Sequence, residues 1–171
     1  LNRNGAVDEY EDWRLSSEER AADLASRMSD EEIAGLMLYS THQKVLTSGL
    51  TPAQREFMSL NNVRHILVTK VASPETAARW NNNVQAFAEN LPLGIPANNS
   101  SDPRHGTVSD AEYNAGGGGE ISMWPGSLGL AATFDPALVH RFGEIMADEY
   151  RAMGLTTALS PQIDLSTEPR W

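Results

Sequence analysis

Between Leu93 and Pro136 a short apolar run breaks into a polar stretch carrying Asp102, Arg104, His105, Asp110 and Glu112. Four consecutive glycines, Gly116 to Gly119, and Trp124 follow before Asp135-Pro136 opens a helix. A strand followed by so long a polar connection is uncommon unless the connection binds something. Asp102 and Asp164 both fall just beyond the ends of expected strands, the rim on which parallel barrels build their active sites. A carboxylate there can accept hydrogen bonds from two vicinal hydroxyls. The competing roles are structural: Asp102 would cap the turn at Pro103, and Asp164 would close its strand. His105, next to Gly106, has the chemistry of a general base. No Ser or Cys nucleophile is paired with it, which favours a hydrogen bond that orders the loop. The glycine run lacks the Gly-Lys-Ser/Thr ending of a phosphate loop and reads as a spacer. No His-Glu-x-x-His or comparable metal spacing occurs. Asn2, Asn4, Gly5, Val7, Asp8 and Glu11 match positions 3, 5, 6, 8, 9 and 12 of an EF-hand-type loop. Asn2, Asn4, Asp8 and Glu11 are therefore candidate ligands of a structural calcium ion, and the alternative is an Asn/Gly turn.

The elements that must position these groups are marked by caps and periodicity. Ser16 with Glu19, and Ser29 with Glu32, are capping boxes that open two leading helices. Leu24 and Met28 edge the first; Ile33, Leu36, Met37 and Tyr39 are expected to carry the second toward a core. A short helix is expected after Thr51-Pro52, then a strand over Val63–Thr69. Ser73-Pro74 opens a helix with Ala77, Trp80, Val84 and Phe87 on one face. A second strand is expected over Leu93–Ala97. A helix from Asp135-Pro136 carries Leu138, Val139, Phe142, Ile145, Met146, Glu149 and Tyr150 inward and stops at Gly154. A third strand is expected over Leu155–Ile163.

This order, βαβαβ behind leading helices, predicts an α/β fold with a parallel sheet. Three strands do not close a barrel, and eight-stranded barrels typically need about 250 residues. The expectation is the N-terminal portion of a (β/α)8 TIM-type barrel, with residues 1–15 as an arm and 16–171 as an incomplete barrel domain. The unpaired edge of the third strand predicts self-association, as in a homodimer. The 171 residues carry a net charge of −10 without a basic face, which argues against nucleic acid and anionic membrane as partners. No cysteine is present, so disulfides, thiolate metal sites and cysteine nucleophiles are excluded.

Several of these residues recur in a known order. Ile95-Pro96, Asp102 with His105-Gly106, Trp124-Pro125, Gly129 to Thr133 with Asp135-Pro136, Arg151 with Gly154, and Pro161 to Trp171 resemble the N-terminal barrel domain of glycoside hydrolase family 3. The opening helices resemble that domain too, so the likeness covers most of the chain. It implies a retaining β-glycosidase that acts at non-reducing ends, most often on β-glucosides or short β-linked oligosaccharides, with no required cofactor. By that likeness Asp102 hydrogen-bonds the hydroxyls of the sugar in the −1 subsite. Asp164 shapes the floor of the site, and Glu168 and Arg170 order its loop. Asn-Ser-Ser-Asp-Pro-Arg-His-Gly departs from the family's usual motif, and Arg104 would then face substrate or a partner subunit.

Retaining hydrolysis needs two carboxyl groups about 5–5.5 Å apart. In the family these are an Asp on a later strand and an acid/base on a second α/β domain, so the chain would require the remainder of the barrel and that domain as partners. β-Xylosidase or β-N-acetylglucosaminidase activity, or sugar binding without catalysis, are the alternatives. The family likeness further implies a periplasmic or extracellular location.

Overall fold

The computed structural model describes residues 2, 4–41, 49–103, 105–107 and 119–161. Four parallel strands, β1 (Tyr39–Thr41), β2 (His65–Leu67), β3 (Asn98–Ser101) and β4 (Thr157–Ala158), pair in the order β1-β2-β3-β4. Tyr39 stands opposite His65, Ile66 opposite Asn99, and Ser100 opposite Thr157. The helices are α1 (Ser17–Arg27), α2 (Asp30–Leu36), α3 (Pro52–Ser59), α4 (Pro74–Glu89), α5 (Ser127–Ala131) and α6 (Pro136–Ala152). Helices separate consecutive strands, as parallel pairing requires of its crossovers.

The caps read from sequence are in place. Ser16 and Ser29 each accept the amide of the glutamate three residues on, and Glu19 and Glu32 reach back to the Ser16 and Ser29 amides at 3.0 and 2.9 Å. Ser73 accepts the Thr76 amide at 3.1 Å, and Asp135 accepts those of Ala137 and Leu138 at 3.0 and 3.1 Å. Pro74 and Pro136 occupy first-turn positions where their missing N–H costs nothing.

Alternation along β2 sorts the two faces of the sheet. Ile66 and Val68 are completely buried in one cluster with Met58, Ala77, Trp80, Val84 and Ala88, so this face meets the helices. Trp80 thus packs between helix and sheet, as its spacing predicts. His65 and Leu67 are half-buried on the opposite face. There His65 stacks on Tyr39, with ring centroids 6.1 Å apart and planes 6° off parallel. Asn98 Nδ2 lies 3.1 Å from His65 Nδ1, and the Tyr39 and Ser100 hydroxyls are paired.

Three expectations are corrected. The strand expected over Leu93–Ala97 lies instead at Asn98–Ser101. Leu91 to Gly94 form a turn, with Gly94 at φ 60°. The polar strand holds because its side-chain donors find acceptors within the sheet and on α4. Asn99 donates to Asn81 at 2.8 Å, Ser100 to the Ile66 carbonyl at 3.2 Å, and Ser101 to the Val68 carbonyl at 2.7 Å. Ile33, Met37 and Tyr39 do not enter the core; Met37 is 82% exposed. Only Gly35 of α2 is buried, and a Cβ there would stand 2.5 Å from the Asn61 carbonyl oxygen. Helix α2 therefore docks through a glycine, and the chain beyond it turns into β1. Strand β4 covers only Thr157–Ala158, short of the span expected to Ile163, whose end lies outside the described residues.

Asn81 ties the layers together. Buried on α4, it donates to the Met153 carbonyl at 2.7 Å and accepts from Asn99. Gly154 ends α6 at φ 82°, and a Cβ there would lie 2.6 Å from that of Asn81. Both the backbone conformation and the close approach exclude a side chain.

Candidate functional site

The site grows from the C-terminal end of β3. Ser101 is locked between its neighbours, with its hydroxyl on the Val68 carbonyl and its own carbonyl accepting from the Leu159 amide at 3.0 Å. The next residue, Asp102, therefore leaves the sheet in a fixed direction. It is 7% exposed, and its backbone carbonyl accepts the Tyr150 hydroxyl at 2.9 Å.

Three residues further on, His105 adopts φ 46°, a left-handed conformation that bends the chain back under the rim. Its ring is enclosed by Tyr150, with centroids 4.9 Å apart, and meets Phe142 edge-on at 6.0 Å. Nε2 lies 2.9 Å from Glu149 Oε2, a close contact bent away from the ideal N–H direction. Burial pushes the imidazole below its ordinary pKa, and the Glu149 carboxylate and Pro103 carbonyl oppose that shift in part. Burial thus favours the neutral form of the ring.

The same glutamate holds the chain where it returns. Ser122 donates to Glu149 twice, from its amide to Oε1 at 2.9 Å and from its hydroxyl to Oε2 at 2.8 Å. Trp124 Nε1 donates to the Ser122 hydroxyl at 2.9 Å, and the Trp124 amide donates to the His105 carbonyl at 2.6 Å. The Trp124 ring packs on Phe142 at 5.2 Å. Sequence reasoning placed Glu149 and Tyr150 on the inward face of α6 without giving them a role. The signal was present: a carboxylate on an apolar helix face needs a partner.

Asp102 and His105 are therefore brought together on one loop. Arg104, Asp164 and Arg170 lie outside the described residues. Asn2, Asn4, Asp8 and Glu11 also converge, far along the chain from that loop. The Asn2 and Asn4 amides both donate to Asp8 Oδ2, Arg27 lies 3.1 Å from Asp8 Oδ1, and Glu11 accepts from the Asn2 and Asp8 amides. The Asn2 hydrogen bond, with Arg27 assisting, holds Asp8 below its ordinary pKa. These oxygens already face N–H donors, and a cation would have to displace them. Among the described residues no group of three or more His, Asp or Glu side chains could hold a metal.

At the opposite end of the sheet a cavity of about 360 Å³ lies between Glu32, Arg64 and the turn at residues 91–95. Arg64 is buried there, donating to the Met58, Val63 and Ile95 carbonyls. It ties α3, β2 and the turn before β3 together at the strand N-termini, the end of a parallel barrel associated with stability.

A family model described as the glycosyl hydrolase family 3 N terminal domain matches residues 18–171. The chain belongs to this family. The periplasmic beta-glucosidase/beta-xylosidase of Dickeya chrysanthemi is 43% identical over 181 residues, covering 100% of this chain and 27% of that protein. Beta-glucosidase C of Emericella nidulans is 38% identical, covering 100% and 28%. This chain thus spans about a quarter of the length of these relatives. Among solved structures, a β-glucosidase of Erythrobacter marinus superposes with a TM-score of 0.68 at 27% identity over 98% of this chain and 21% of that one. A fungal multi-domain family 3 beta-N-acetylglucosaminidase, at 20% identity and a TM-score of 0.69 over 83% of this chain, shares the fold. The parallel strands and intervening helices of this chain are consistent with an N-terminal portion of such a barrel, and the loop after β3 leaves from the C-terminal end of the sheet.

Proposed function

We propose that this chain supplies part of the sugar-binding wall of a retaining β-glucosidase. The observation that carries the reading is Asp102, held on the C-terminal rim of the parallel sheet by Ser101 below it and Tyr150 beside it. A carboxylate fixed there grips neighbouring hydroxyls of the glycone, and that grip strengthens as the ring gains oxocarbenium character. The reaction is double displacement through a glycosyl-enzyme ester. Its nucleophile and acid/base are an Asp on a later strand and a carboxylate on a second domain, by the family's pattern. No redox or group-carrying cofactor enters this chemistry. The names of the Dickeya chrysanthemi relative make a β-xyloside the second substrate to test, and favour the periplasm as the compartment. Arg104, Asp164 and Arg170 complete the same rim in this reading. In this reading the N-terminal turn acts as a hydrogen-bonded brace, its carboxylates engaged by N–H donors and by Arg27.

The test is turnover of aryl β-glucosides and β-xylosides by the protein expressed from its full reading frame. Asp102→Ala should lower kcat/KM at least about tenfold, since a hydrogen bond to a charged group contributes roughly 1.5–3 kcal/mol. Unchanged kcat/KM would remove Asp102 from the site.

A further inference from the structure

Two adjacent residues near the C-terminal end of α6 reach the candidate sugar-binding loop at different points. Tyr150 donates its hydroxyl to the backbone carbonyl of Asp102, and Glu149 takes His105 three residues later. Glu149 also receives both the amide and the hydroxyl of Ser122, on the chain's return toward α5. One carboxylate therefore joins the outgoing limb to the incoming one, and the Trp124 amide on the His105 carbonyl closes a second rung beside it. These contacts are sheltered: His105 and Tyr150 are 1% and 4% exposed. They are also anchored from behind, because the Tyr150 carbonyl accepts the Leu155 amide that leads into β4.

We propose that Glu149 and Tyr150 are the positioning residues for Asp102. Neither side chain is placed against substrate; they set where the Asp102 carboxylate stands by fixing the backbone on both sides of it. The inference rests on the reading of Asp102 as a sugar ligand. It assigns to α6, a helix on the outer layer, the task of aligning a group on the rim. Tyr150 fixes the carbonyl of the binding residue itself. Glu149 fixes the left-handed bend at His105 and thereby the exit direction of the loop. Misplacing a binding group by about 1 Å can cost on the order of 100-fold in rate, so loosening either contact reports on alignment.

The experiment is a set of four variants of the protein expressed from its full reading frame: Asp102→Ala, Glu149→Gln, Tyr150→Phe and the double variant Asp102→Ala/Glu149→Gln. Each is assayed with the aryl β-glycoside that the unaltered protein cleaves fastest, and each is melted in parallel. Glu149→Gln keeps the shape and can still accept from Ser122, but loses the charge facing His105. It should lower kcat/KM about tenfold, and Tyr150→Phe about threefold. The loss from Glu149→Gln should largely vanish in the Asp102→Ala background, since a residue that acts through Asp102 has nothing left to align. Full additivity of the two losses, or wild-type kcat/KM in both Glu149→Gln and Tyr150→Phe, overturns the proposal while leaving Asp102 in the site. No effect of Asp102→Ala overturns the sugar-binding reading and this inference with it. If Glu149→Gln fails to fold, Tyr150→Phe in the same double cycle with Asp102→Ala decides the matter by the same criterion.

Discussion

His105 is the group whose protonation matters most to the loop. Its imidazole is buried beside Glu149, and burial holds it below its ordinary pKa near 6.5. In the unfolded chain the same ring takes up a proton as pH falls below about 6.5, while the folded ring resists it. The unfolded state then binds more protons, so this contribution to stability is complete above that pH and is lost as pH falls toward the depressed folded value. The melting temperature of the unaltered protein should therefore drop more steeply between about pH 6.5 and 5 than that of His105→Asn, which has no imidazole to titrate and tolerates the left-handed backbone. Parallel slopes for the two proteins would show that the ring is not held neutral. With no nucleophile in reach, a loop-ordering hydrogen bond was the expectation for His105; its Nε2 lies 2.9 Å from Glu149 at a bent angle, and the ring is enclosed by Tyr150 and Phe142. The partner was not legible, because Glu149 lies 44 positions away and meets His105 only once β3 and α6 pack.

Among the elements, α4 and α6 were plain in the sequence because each carries its own start signal and an apolar face. Strand β3 was not. Asn-Asn-Ser-Ser has low strand propensity, and the apolar residues before it suggested a strand that starts five positions early. What makes it a strand is non-local: Asn81 on α4 receives Asn99, and Gln85 both accepts from and donates to the backbone of Ala97, at 3.0 and 2.7 Å. Asn81 is the test of this account. Asn81→Ala removes two buried hydrogen bonds and strands the Met153 carbonyl, so it should lower unfolding free energy by about 1–3 kcal/mol, read from the chemical denaturation midpoint. A change within error would mean that Asn81 does not hold β3. The apolar stripe of α2 misled in the opposite direction, since a helix docked through Gly35 leaves its larger side chains outside.

At the scale of the whole molecule, the N-terminal arm is joined to the domain near the turn that precedes β3. The Tyr10 hydroxyl donates to the Leu93 carbonyl at 3.2 Å, its amide donates to Asp23 at 3.0 Å, and Arg27 lies over its ring at 5.6 Å. In this structure the oxygens that match a calcium loop face N–H donors, and Arg27 supplies a positive charge beside Asp8. Chelation should therefore leave the melting temperature unchanged, and a chelator-dependent fall that calcium restores would return the turn to the metal-binding class. Alternating oxygen-bearing residues around a glycine could not distinguish these cases, because a hydrogen-bonded Asn turn and an ion loop draw on the same residue types. The parallel order of the sheet was legible from alternation of elements, whereas the first strand, Tyr39–Thr41, was hidden behind a capping box that made its residues look helical.

The rungs at Glu149 and Trp124 have a consequence for how this domain can diversify. His105 and Ser122 are each held by Glu149, and the Trp124 amide is held on the His105 carbonyl, so the anchoring contacts lie outside the sequence that connects the two limbs. Lengthening such a loop is inexpensive, about 0.6 kcal/mol for each doubling. Insertions and substitutions in that connecting sequence should therefore leave Asp102 in register. Tolerance to change is thereby separated from alignment, because α6, and not the connecting sequence, keeps the carboxylate in place.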